Sequence, residues 1–222
     1  WHHPTQGFIS PDIFIPMLEE DGLITFLTTQ MLKQGITQLA KWRQILPQLR
    51  LSVNFSAPDI ANPELVAQLS TLLALHGLPA EALIVEITES ILIEQSETVM
   101  AQLANLKQLG VAIALDDFGT GYSSLAYLTK LPIDEVKLDR SLITELSSDL
   151  QSQGMVRNII RMAHDLDLVV TAEGIETQEQ QQLLKLMDCD LIQGYYYSKP
   201  LTERDFVAML KQQPFAGEQK DA

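Results

Sequence analysis

Asp116 and Asp117 stand side by side in ALDDFGTGYSSL (114–125), after an apolar run and before a loop with two glycines. Adjacent carboxylates can cap a helix, sit in solvent or hold a cation, so their meaning depends on their company. That company exists: Asn54, Glu86, the pair Lys137 and Asp139, Glu173 and Gln193 each fall within or at the end of another short apolar run. One acid at a strand end is usually a cap or a solvated residue; polar groups at six strand ends call for a shared cause. Carboxylates gathered in a partly dry pocket repel one another unless a cation compensates. Oxygen donors without Cys or His are hard ligands, suited to Mg²⁺, Mn²⁺ or Ca²⁺ rather than to a thiolate zinc site, and Mg²⁺ or Mn²⁺ beside substrate phosphates is the expected use.

Lys137 is the one cation expected inside this acidic ring. On an extended strand its side chain shares a face with that of Asp139, two residues on. It is read either as half of a buried ion pair or as a group that orients, or helps deprotonate, a water at a metal. The four histidines offer little: His2 and His3 stand at an unanchored start, His76 closes a helix, and His164 lies within IIRMAHDL, none of them at ligand spacing from a carboxylate. GTGYSS lacks the lysine of a Walker loop, which excludes a P-loop and leaves an active-site loop.

These groups need elements to position them. Strands are expected at RLSVNF (50–55), ALIVEIT (82–88), VAIALD (111–116), EVKLD (135–139), LVVTAE (168–173) and LIQGYYY (191–197). Several are apolar on consecutive positions, the pattern of a parallel sheet buried on both faces. Helical segments separate them. Asn62 before Pro63 reads as an N-cap, Gly77 and Gly110 as helix stops, and Thr177 with Gln180 as a capping box. Alternating strands and helices mean βα units, and their spacing fits a TIM-type (β/α)₈ barrel, an α/β fold of about 250 residues whose site sits at the C-terminal strand ends. Six strands are two short, so the first one or two are expected upstream of Trp1; a flavodoxin-like doubly wound sheet is the alternative. One domain over 1–213 and a polar tail over 214–222 are expected.

The 222 residues are 46% hydrophobic, enough to fill a sizeable core. A formal net charge of −14 argues against DNA, RNA or an anionic membrane surface as a partner. The single cysteine, Cys189, excludes an internal disulfide framework and is read as a core thiol in a reducing compartment. No run reaches membrane-span length, and the start lacks the pattern of a signal peptide.

In order, VNFS, VEITES, ALDDFGTGYSSL, LPIDEVKLDRS, TAEGIET and QGYYYSKP resemble the successive motifs of bacterial EAL-domain phosphodiesterases, which hydrolyse cyclic di-GMP. WHHPTQGFISPDIFIPMLEEDGLI is similar to the family's segment after its name-giving motif. The resemblance implies that Asn54, Glu86, Asp116, Asp117 and Glu173 bind two Mg²⁺ or Mn²⁺ ions. It further implies that Lys137 acts on the attacking water, that Glu176 supports that water's network, and that Glu89 braces the Gly-rich loop after Asp117. Gln193 and Asp139 are expected at the substrate. The implied reaction gives linear pGpG. The implied setting is a cytoplasmic domain, dimeric through the region after DDFGTGYSS and joined to sensor or diguanylate-cyclase (GGDEF) domains. The glutamate of the Glu-Ala-Leu triplet, a further ligand in the family, is expected just upstream of Trp1. An impaired domain that holds cyclic di-GMP as a receptor is the second reading; scattered losses among Asn54, Glu86, Lys137 and Glu173 would mark it, and all four are present.

Overall fold

Five consecutive buried residues, Leu83 to Ile87, set the character of the central sheet: a strand apolar on both faces must be covered on both. The computed structural model of the chain describes residues 1–89, 91, 97–119 and 128–212. Its sheet has six parallel strands: β3 (Leu51–Asn54), β4 (Leu83–Thr88), β5 (Ala112–Phe118), β6 (Glu135–Leu138), β7 (Val169–Ala172) and β8 (Leu191–Ile192). Their spatial order is their sequence order, β3-β4-β5-β6-β7-β8. Each crossover therefore steps one strand in the same direction, as in a (β/α)₈ barrel. A doubly wound sheet reverses its order midway, so the flavodoxin-like alternative is excluded.

Helices cover the sheet with one apolar stripe each. α2 (Ile24–Trp42) buries Ile24, Thr28, Leu32, Ile36 and Leu39 at helical spacing, and α4 (Leu65–Leu75) buries Leu65, Leu69 and Leu73. α5 (Glu97–Leu109) and α7 (Leu150–Asp165) add Val99, Leu103, Leu106, Val156 and Ile160 to one continuous core. Shorter helices are α1 (Pro11–Glu20), α3 (Ala57–Ala61), α6 (Arg140–Thr144), α8 (Gln178–Leu186) and α9 (Glu203–Gln212). Among the described residues, no helix is long and apolar enough to cross a membrane.

The expected stops hold at Gly77 and Gly110, both at positive φ, and Thr177 with Gln180 forms the expected capping box. Asn62 differs. Its Oδ1 accepts from Glu64 N at 3.0 Å, but this shapes a turn, and the helix starts at Leu65 with Glu64 as its cap. The start of the chain is anchored, against expectation: β1 (His2–His3) and β2 (Gly7–Phe8) form a small antiparallel hairpin, with Trp1 edge-on to Phe14. The expected tail, 214–222, lies outside the described residues, as does residue 213.

Two matching brackets fix the N-terminal ends of the strands. Asp134, just before β6, accepts from Ile113 N of β5 at 2.8 Å and pairs with Lys107 of α5. Asp190, just before β8, accepts from Val170 N of β7 at 2.8 Å and pairs with His164 Nε2 of α7 at 2.8 Å. The histidine that looked solitary in sequence therefore has a carboxylate partner 26 residues away. Cys189 packs beside this bracket against the core, and burial, with the Asp190 charge, pushes its thiol up to about 11.

The largest correction to the strands is the last. LIQGYYY pairs only over Leu191–Ile192, because at Gly194 the backbone turns across the loop after β7. A Cβ on Gly194 would lie 2.2 Å from the Ile175 carbonyl oxygen and 2.3 Å from its nitrogen, and backbone cannot yield as a side chain does. Gly194→Ala is expected to cost about 1–3 kcal/mol, the range for overpacking; a midpoint in urea unchanged from wild type would count against this close approach.

Candidate active site

The site is built around one ammonium. Lys137, on β6, is 5% exposed, and its Nζ lies 3.0 Å from Glu86 Oε2, 3.0 Å from Asp116 Oδ1 and 2.8 Å from Glu173 Oε1. These partners come from β4, β5 and the residue after β7, so four consecutive strands converge on one atom. An ammonium has three donors, and three carboxylates stand within ion-pair distance of this one. Burial alone would pull the pKa of Lys137 down, but the hydrogen bond to Glu173 and the charges of Glu86, Asp116 and Glu173 outweigh it and hold the lysine above its ordinary range. Gln193 Nε2 donates to the same Glu173 Oε1 at 3.1 Å.

Asp117 reaches this mouth through an irregularity. A strand alternates its side chains, so two successive aspartates should point to opposite faces. Here the register between β5 and β6 shifts between Leu115 and Phe118, and Asp117 takes φ 56°, the left-handed region that aspartate tolerates better than most residues. Partial burial, then the charges of Asp116, Asp139 and Glu86, push the Asp117 carboxyl up against the pull of Lys137. Glu173 is also raised, by burial and then by Asp116 and Glu86, despite its bond to Lys137. Four carboxylates thus share one ammonium.

The remaining expected residues divide. Asn54 is exposed at the C-terminal end of β3, in register with Glu86. Asp139 does not extend β6, as the sequence suggested. The strand ends at Leu138, and Asp139 caps α6, its Oδ1 accepting from Ser141 N at 2.9 Å. Burial raises its carboxyl, but hydrogen bonds from Ser141 and Arg140, with the Arg140 charge, together outweigh that and hold it below the usual range. Glu176 stands apart from the lysine and pairs with Arg140 Nη2 at 2.7 Å. Glu89 follows β4 with Oε2 buried and without a hydrogen-bond partner among the described residues; the loop it is expected to brace, 120–127, lies outside them.

Beside the acidic cluster opens a cleft of about 440 Å³, reached from Glu173, Glu176 and Gln193 and lined by Arg140, Tyr195 and Lys199. Lys199 Nζ sits 5.7 Å from the centre of the Tyr195 ring. Sequence reasoning passed over these three residues. The available signal was positional: Arg140 directly follows a strand-end motif, and YYYSK directly follows the last strand.

Among the described residues, no group of three or more His, Cys, Asp or Glu stands ready-arranged around a metal ion. The physical reason is on view, since Lys137 takes up the oxygens of Glu86, Asp116 and Glu173. The donor chemistry still fits a divalent cation, being all hard oxygen, with more negative charge than one lysine neutralises.

A singly wound parallel sheet that pools acids at its C-terminal strand ends is the barrel class of α/β protein. The chain belongs to the EAL domain family, whose model matches residues 1–200. It is 40% identical over 202 residues to the cyclic di-GMP phosphodiesterase NbdA of Pseudomonas aeruginosa, covering 90% of this chain and 26% of that protein. The solved PaMucR phosphodiesterase in complex with c-di-GMP has a TM-score of 0.86 at 36% identity, over 93% of this chain and 84% of that one. The EAL domain of Mycobacterium smegmatis DcpA has a TM-score of 0.80 at 33% identity, over 85% of each chain. The chain spans about a quarter to a third of the length of the curated relatives it matches.

Two substitutions test this electrostatic reading in metal-free protein. Lys137→Ala strands three carboxylates and is expected to cost about 3–5 kcal/mol in chemical denaturation, as when one partner of a buried pair is removed. Asp117→Asn should act in the opposite sense. A carboxyl raised in the folded state is easier to fold protonated, so its charge costs stability at neutral pH, and that cost fades as pH falls toward the ordinary value of 3.8. The variant should melt higher than wild type at pH 7, with the difference shrinking in acid; a lower melting temperature at pH 7 would contradict the crowding described here.

Proposed function

We propose that this chain is the phosphodiesterase domain of a cyclic di-GMP signalling protein, which opens the cyclic dinucleotide to linear pGpG. The observation that carries the reading is the convergence of Glu86, Asp116 and Glu173 on Lys137 at four consecutive strand ends, beside a cleft with two cations and an aromatic ring. The printed activity of NbdA and the ligand of the PaMucR structure support the same substrate.

In this reading Asn54, Glu86, Asp116, Asp117 and Glu173 would hold Mg²⁺ or Mn²⁺. When bound, two such ions supply Lewis acidity at the phosphodiester. The chain's own residues do the rest. Lys137 presents N–H donors to the attacking water, Gln193 fixes Glu173, and Glu176 supports the water network from the cleft side. Asp139 serves the substrate indirectly, by capping the helix that presents Arg140. Arg140 and Lys199 offer positive charge to the phosphates, and Tyr195 offers a face to a guanine. An acidic protein can in this way receive an anionic dinucleotide, because the positive charge is local. Glu89 braces the loop that follows Asp117. The domain acts in the cytoplasm, as a dimer, alongside sensor or GGDEF domains.

The test uses the natural full-length protein with cyclic di-GMP and Mn²⁺. Expected are pGpG as product, loss of turnover in EDTA, and a rise in melting temperature on adding Mn²⁺ that Glu86→Gln and Asp116→Asn abolish. Cyclic di-GMP bound but never cleaved would establish the receptor reading instead; neither binding nor cleavage would overturn both.

A further inference from the structure

The loop after β7 and the short helix after β6 are joined by one buried amide. Gln180, in the first turn of α8, is buried; its Oε1 accepts from Glu176 N at 2.9 Å and from Thr177 N at 3.1 Å. Its Nε2 donates to the carbonyl of Ile143, in α6, at 3.2 Å. A capping box uses only the oxygen, and glutamate serves it as well as glutamine. The donation to Ile143 is additional, and it leaves the helix that Gln180 caps.

α6 returns the connection. It begins with Arg140, whose Nη2 donates to Glu176 Oε1 at 2.7 Å. The stem of Arg140 lies against Gly174, where a Cβ would come within 2.4 Å of Arg140 Cγ. The contacts therefore close a ring: Gln180 amide to Ile143 carbonyl, along α6 to the Arg140 guanidinium, across to the Glu176 carboxylate, and from the Glu176 amide back to the Gln180 carbonyl. A helix of five residues does not hold its own orientation, because so few internal hydrogen bonds cannot offset the entropy of fixing it. Something outside α6 must aim Arg140 into the cleft.

We propose that Gln180 is a positioning residue of the cleft, setting the Arg140–Glu176 pair where it meets the phosphate of the dinucleotide. The proposal rests on the reading of this cleft as the cyclic di-GMP site. Gln180→Glu, made in the full-length protein, keeps the capping box and removes the donor. Its thermal midpoint should fall, because the new carboxylate is buried against the Ile143 carbonyl, and exchange of the backbone amides of 140–144 should quicken more than in the other helices. KM for cyclic di-GMP in Mn²⁺ should rise about tenfold, the lower end of what supporting partners of a site command, with kcat moving less. The double variant Gln180→Glu/Arg140→Ala should be no weaker than Arg140→Ala alone, since one residue acts through the other. Unchanged exchange in α6, or KM losses that multiply in the double variant, would overturn the proposal. A wild type that neither binds nor cleaves cyclic di-GMP would remove the reading of the cleft, and the exchange measurement would still decide whether Gln180 sets α6.

Discussion

A buried ammonium surrounded by carboxylates from three neighbouring strands is the constraint around which the rest of this molecule is arranged. Desolvating Lys137 is expensive, and only partners at contact distance offset that cost. Glu86, Asp116 and Glu173 can all reach one atom only if β4, β5, β6 and β7 are adjacent, parallel and in register. The covering helices, the apolar strands and the βα order thus serve a single electrostatic requirement at one end of the sheet. The surplus of carboxylates over ammonium makes that end attractive to further positive charge, while Arg140 and Lys199 make the adjoining cleft attractive to anions. Opposite preferences stand a few residues apart.

The sheet was legible in the sequence because buried parallel strands leave a local signature. The run LIVEI is buried at every position and apolar at all but Glu86, as suits a strand covered on both faces. The acidic site was legible because polar residues recur at all six strand ends and the fold places those ends together, although any one of them alone would read as a cap or a solvated residue. The motif resemblance added expected roles and a family, and the family model matches the family it named.

What the sequence concealed depends on pairing across distance or on backbone conformation. The partnership of His164 with Asp190 links residues on different elements that no spacing rule connects. Asp139 looked like a strand residue because EVKLD has no punctuation; only the start of α6 shows it to be a cap. QGYYY has a strand's composition, yet Gly194 must pass against the backbone of Ile175, and chain crossings of that kind leave no periodic trace. The left-handed turn at Asp117 was equally silent, although without it the second aspartate would face away from the mouth.

The two brackets at the N-terminal strand ends, Asp134 with Lys107 and Asp190 with His164, carry a consequence for how such a domain can change over time. They lock β5 to β6 and β7 to β8 at the end of the sheet opposite the site, with no residue in common with it. Register at that end of β5 to β8 is thereby supported by groups separate from the acidic cluster. A substitution at the acidic end therefore leaves these two clamps in place.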